Sequence, residues 1–289
     1  MRHHYLPQFY SKNWMNSEGK IHCYKFINGK IQEDLWAPKG TGYEPNLYSI
    51  EHEDPHKIET QHFKVLDDKA SKILHKILNN GLTHINTNEK EQWCDFITSL
   101  ITRHTKIVGQ ARKSKEPIID DLVNGVPQKH RQEFVSSPQV RDFCDNIHTY
   151  VIASFSGFDE LYNIGLNEKY RQCLIGLNWF VLDFINTGFD LLTSDYPVCI
   201  FPLNKQILHS KKYETPREML ASGDFYLSFP LSPTRCFYAG KVEHKKGITK
   251  SQLRHLIKLQ NHITINNAQK IIYSNNGLSI NFLKKYFNR

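Results

Sequence analysis

Two imidazoles, His3 and His4, stand side by side in the opening stretch MRHHYLPQFYSKNW. Imidazole is the commonest transition-metal ligand and the commonest general base near neutral pH. On an extended segment neighbouring side chains point to opposite sides, so one of the pair faces a site while the other packs or positions it. Carboxylates that could join them occur in three places. Glu59 and Asp67 are eight positions apart on a predicted helix, slightly over two turns, and so share a face; Asp68 points elsewhere. Asp195 sits in TSDYP, where an Asp ahead of X-Pro makes a turn through its own side chain, and a turn at a strand end is also a place for chemistry. Arg103 and His104 interrupt an apolar stripe, and a guanidinium there needs either a carboxylate partner or a phosphate to grip.

Taken together, these residues suggest a hydrolase that opens a phosphodiester with the help of a divalent ion, Mg²⁺ or Mn²⁺. His3, His4, Glu59, Asp67 and Asp195 are the candidate metal ligands; His4, Asp195 and Arg103 are the candidate catalytic groups, with His4 as base and Arg103 neutralising phosphoryl charge. The competing reading is a non-catalytic module binding nucleic acid or protein, in which the same polar residues form a buried network tying the N-terminal segment to the rest. HEDPH sets His52 and His56 four apart, but Pro55 disfavours a helix between them; with His62 they read as surface histidines. No GxSxG elbow, HExxH, P-loop or dinucleotide fingerprint is present.

The bulk properties limit the partners. Lys and Arg number 37 against 29 Asp and Glu, a formal charge of +8, which favours a polyanion such as nucleic acid or a nucleotide. Aromatic and basic residues interleave in the first third, as a stacking platform for single strands would require, although most such rings serve a core. The six cysteines are scattered without a CxxC pair, which argues for reduced, buried thiols. No apolar run is long enough to cross a bilayer, so the expectation is a cytoplasmic protein without membrane attachment.

The elements that must position these groups read as an α+β fold in one domain spanning 1–289. Asn28-Gly29, flanked by alternating residues, predicts a hairpin over Lys20–Trp36. A helical block follows over 57–177. Its helices are predicted at Lys57–Asn79, from Thr87 or Asn88 to about Arg112 with an approximate cap from Thr87, Lys90 and Glu91, and at Pro117–Val123, Gln128–Ser154 and Asn167–Leu177. Residues 178–240 read as antiparallel or mixed strands, with a turn at Asn186-Thr187-Gly188, and a long C-terminal helix covers about Lys250–Lys270. The two β-rich parts are expected to share a sheet or pack together.

The phrases HHYLPQFYSKNW, IET ahead of FKVLDDKASKIL, TRH, LLTSDYPV, FPLSP and NHITINNAQKIIYS, in this order over nearly the whole chain, resemble a bacterial family catalogued as domain of unknown function 4238. The family opening carries Tyr-Leu-Arg-Asn-Phe where this chain has Tyr10-Ser11-Lys12-Asn13-Trp14. The resemblance implies that the terminal histidines belong to the folded domain. A role as a toxin or anti-phage effector is an expectation drawn from that kind of family.

Overall fold

The computed structural model describes residues 2–50, 54–113, 166–202, 225–241 and 247–286, together with parts of 120–149. The expected helix Pro117–Val123 and much of Gln128–Ser154 lie outside the described residues; a helical turn at Arg131–Ser136 lies within the second. The arrangement is α+β.

The N-terminal residues are folded in. Strand β1 (Arg2–His4) pairs antiparallel with β4 (Tyr43–Pro45), with His3 opposite Glu44. Where the segment turns, Leu6 N–H donates to Gly42 O at 3.0 Å. The approach is so close that a Cβ on Gly42, whose φ is +66°, would stand 2.7 Å from Leu6 Cβ; only glycine fits. Helix α1 (Gln8–Ser11) then carries Tyr10 into the core, where its hydroxyl donates to Pro230 O at 2.7 Å and meets Thr193 Oγ1.

Strands β2 (Ile21–Ile27) and β3 (Lys30–Trp36) form the predicted hairpin, with Asn28 and Gly29 both at positive φ as a type I′ turn demands. Its other edge is joined by the late strand β10 (Ile271–Ser274), which in turn pairs with β6 (Thr193–Ser194), giving the order β3-β2-β10-β6. A second four-stranded sheet has the order β5-β9-β8-β7, from Asn178–Asp183, Arg235–Gly240, Phe225–Ser232 and Cys199–Pro202. The turn expected at Asn186-Thr187-Gly188 is a 3₁₀ turn over Ile185–Thr187 closed by Gly188 in the left-handed region. It does not fold β5 back on the following segment: β5 pairs with β9, while Leu191 N–H bonds Pro233 O and β6 leaves for the other sheet.

Helices α2 (Lys64–Asn80) and α3 (Thr87–Thr102) pack on each other. Asn86 caps α3 one residue ahead of the expected Thr87: its Oδ1 accepts the Glu89 N–H at 2.9 Å and Glu89 Oε2 returns to the Asn86 N–H at 3.1 Å, a complete capping box. The helix does not continue to Arg112 either. It ends at Thr102, and α4 (Thr105–Lys113) begins after a bend at Arg103-His104. Helix α5 (Leu166–Ile175) packs on α3, and Arg171 holds Asp95 through Nε and Nη2 at 3.1 and 2.9 Å. The C-terminal helix α6 (Lys250–Asn267), capped by Thr249 and Gln252, stops three residues short of Lys270 so that the chain can enter β10. Phe96, Trp93, Phe229 and Tyr10 meet in this order at ring distances of 5.3, 5.9 and 5.1 Å within the core. Of the cysteines, Cys23, Cys94, Cys173, Cys199 and Cys236 are free thiols, all but Cys173 buried.

Candidate functional site

The bend after α3 places Arg103 at the floor of a cluster of titratable groups. Its side chain is fully buried. Its charge partner is Asp67, whose Oδ1 lies 3.0 Å from Nη1, while Nε and Nη2 make no hydrogen bond among the described residues. The faces of Phe63 and Phe96 flank the guanidinium at 5.3 and 5.9 Å, and the hydroxyl of Tyr48 donates to the Arg103 carbonyl, fixing the bend.

Over this floor stand half-buried side chains from the segment ahead of α2. Ile58–Phe63 is π-helical, a conformation that occurs chiefly as short insertions and often at functional sites. It carries Glu59 and His62, and one turn later α2 presents Asp67. Burial pushes the Glu59 carboxyl up to about 7; the His4 N–H, which donates to its Oε1 at 3.2 Å, and the charge of Arg103 pull the other way, and Asp67 adds to the rise. Burial also lifts Asp67 to about 6 against the pull of Arg103. Because Asp67 keeps some contact with solvent and faces a buried cation, it is the ionised member at neutral pH. Burial and Arg103 hold His62 down at about 4, and they lower His4 as well. His4 Nε2 meets the Gln8 side-chain amide at 3.3 Å, which leaves a neutral ring with Nε2 as the acceptor.

His3 lies on the other face of β1, fully buried. Its Nδ1 accepts the Tyr48 N–H at 2.9 Å and its Nε2 meets His56 Nδ1 at 3.1 Å, with its ring stacked on Tyr48. Both nitrogens are occupied, so its contribution is to hold β1 and the Tyr48 backbone together. His56 is therefore not a bystander in a surface loop, contrary to the expectation from HEDPH; His52 lies outside the described residues.

Asp195 belongs to a second group. Its carboxylate is buried, with Oδ1 accepting the Gln269 N–H at 2.9 Å and Oδ2 the Lys270 N–H at 2.8 Å, while its own N–H bonds Ile271 O. It clamps the turn between α6 and β10. His104 is next to it, with Nε2 3.6 Å from Oδ2 and Nδ1 accepting the Lys106 N–H at the start of α4; its ring lies edge-on to Tyr5 and Tyr196. The five expected ligands are thus divided between two places. Among the described residues no three His, Cys, Asp or Glu side chains gather as a metal ion would need. The assembled cluster is His4, Glu59, Asp67 and Arg103, with His62 beside Arg103 and His3 and His56 behind it.

A family model described as a protein of unknown function, DUF4238, matches residues 2–277. The chain belongs to this family. The match of this DUF4238 member takes in the folded-in N-terminal strand. No curated protein and no solved structure matches the chain. Among the described residues no helix is long and apolar enough to cross a membrane.

Tyr48, His56 and the π-helical turn were missed from sequence. Tyr48 lies in an irregular Gly- and Pro-rich stretch with no periodicity to mark it, and a π-helical turn has no compositional signature in a single sequence. His62 carried a usable signal, being three residues from Glu59 on a predicted helix.

Proposed function

We propose that this DUF4238 protein is a phosphodiesterase acting on nucleic acid. The observation that carries the reading is Arg103: a fully buried cation paired with Asp67 at 3.0 Å through Nη1, with Nε and Nη2 making no hydrogen bond among the described residues, beside a carboxyl poised near neutrality and a neutral imidazole. Burying a guanidinium with its donors unmade is costly, and the cost falls when an anion with several acceptor oxygens fills the site. A phosphodiester is such an anion. Arg103 would take the non-bridging oxygens, with Asp67 limiting the net charge around it. His4 would accept a proton from the attacking water or hydroxyl at Nε2, with that water or hydroxyl taking the place of the Gln8 amide. Glu59, about half protonated near pH 7, would donate to the leaving oxygen. Charge supports the same class of substrate, since the chain carries +8. A toxin or phage-defence role is compatible with such an activity and is suggested by the kind of family alone.

The test is incubation of the purified protein with single-stranded RNA, single-stranded DNA and duplex DNA, each with Mg²⁺, with Mn²⁺ and with EDTA. Glu59→Gln and His4→Ala should each lower cleavage about 10²-fold or more, the usual contribution of an acid or base. Cleavage that survives EDTA assigns the chemistry to these side chains; cleavage restored by Mg²⁺ or Mn²⁺ assigns part of it to an ion held by Glu59 and Asp67. Absence of cleavage on every substrate, or equal cleavage by the variants, removes the proposal.

A specific observation favours the rival reading at two residues. His3 and Asp195 spend their polar atoms on backbone amides and on His56, as members of a structural network would. We assign those two to architecture and keep His4, Glu59 and Arg103 for chemistry.

A further inference from the structure

On the side of the Arg103-His104 bend where α4 begins, a cavity of about 530 Å³ opens between the β4 strand, α4 and the turn into β10. Its volume is within the range that holds a nucleotide-sized molecule. The wall is chemically divided. Lys106 and Lys270 bring two ammonium groups from α4 and from the turn clamped by Asp195. Pro45 and Leu47 supply an apolar surface, and Glu44 and Gln269 offer an acceptor and an amide. His104 also lines the cavity; it is 1% exposed and its Nε2 makes no hydrogen bond, Asp195 being 3.6 Å away and already engaged by two backbone amides.

We propose that this cavity binds a nucleoside monophosphate. Two lysines form a cationic end that suits a dianionic phosphate, on a wall where the first-turn amides of α4 are already held by His104. The Pro45 and Leu47 surface suits the face of a base, and the Glu44 carboxylate suits sugar hydroxyls or an exocyclic amine. His104, whose Nδ1 accepts the Lys106 N–H and whose Nε2 faces Asp195 at 3.6 Å, fixes the start of α4 against the cavity. The inference stands on this cavity and its lining, independently of the phosphodiesterase reading.

Gly109 provides a clean test. It lies on the cavity wall in α4, and a Cβ placed on it meets nothing within 4 Å. Gly109→Leu therefore fills the cavity from a position where leucine is the better helix former, and the fold should survive. Calorimetric titration of the full chain with the four common nucleoside monophosphates, inorganic phosphate and adenosine reads the outcome. At least one nucleotide should bind with a Kd below about 1 mM, more tightly than phosphate or adenosine. Lys106→Glu with Lys270→Glu should weaken it at least tenfold, and Gly109→Leu should abolish it without lowering the melting temperature. The proposal is overturned if no nucleotide binds, if phosphate alone binds equally well, or if binding persists unchanged in both the Gly109→Leu and the double-lysine variants.

Discussion

Asp195 allows the sharpest test of how polar residues are used in this protein. Asp195→Ala removes two hydrogen bonds to a carboxylate, from Gln269 N–H at 2.9 Å and Lys270 N–H at 2.8 Å. Bonds to a charged acceptor contribute about 1.5–3 kcal/mol each. The two amides are only part-buried, so water entering the space left by the side chain can reach them, and the lower end of that range applies. The expected loss is about 3 kcal/mol, which in a chain of this size lowers the melting temperature by about 6–12 °C. Asp195→Asn keeps one acceptor oxygen but turns an N–H₂ toward an amide that also donates, so it should recover no more than half of the loss. Thermal melts and urea titrations followed by circular dichroism measure both variants. If Asp195→Ala unfolds within about 0.5 kcal/mol of the parent chain, the clamp is not a clamp. If Asp195→Asn melts like the parent but loses all cleavage of nucleic acid, the residue belongs with the chemistry.

Two further perturbations address the N-terminal segment and the site. Gly42→Ala should destabilise the chain by about 2–3 kcal/mol, because its Cβ would collide with Leu6 and its φ is positive, and hydrogen exchange should show β1 and β4 losing protection first. Exchange unchanged in that ribbon would show that the close approach is not required. Glu59 holds its proton to about pH 7 in the folded chain and to about 4.5 unfolded, so between these values the native state binds the extra proton and its stability falls as pH rises, with the full penalty present above 7. Glu59→Gln has no such penalty and should gain on the parent by about 3 kcal/mol from pH 4.5 to pH 7, levelling off above, in a series of urea midpoints. A variant less stable than the parent at pH 8 would place Glu59 in a purely structural network.

What the sequence made legible was local. Asn28-Gly29 specifies its own turn, because positive φ at two successive residues is a demand that few dipeptides meet. The apolar period from Ile58 to Leu78 located α2, and the turn chemistry of Asp195 was visible in TSDYP. What stayed hidden depended on partners far along the chain. Nothing near Asp195 indicates that its carboxylate meets amides 74 and 75 positions away, and nothing in IIYS indicates that it will be inserted between β2 and β6. The bend at Arg103-His104 interrupts a continuous helical pattern, since it is fixed by Tyr48 from another segment and by the His104 ring capping Lys106. The site was half legible for the same reason: residue types named its candidates, but which of them kept free lone pairs was decided by backbone groups that have no sequence signature.

The place of β10 bears on how the chain is made. The strand that joins the hairpin β2–β3 leaves the ribosome more than 200 residues after it, and Tyr10 likewise waits for Pro230. During synthesis the nascent hairpin therefore carries an unpaired edge for about 10 to 50 seconds at ordinary translation rates. Such an edge invites pairing with another chain, so yield should depend on translation speed and holdase supply more than the finished protein's stability would suggest.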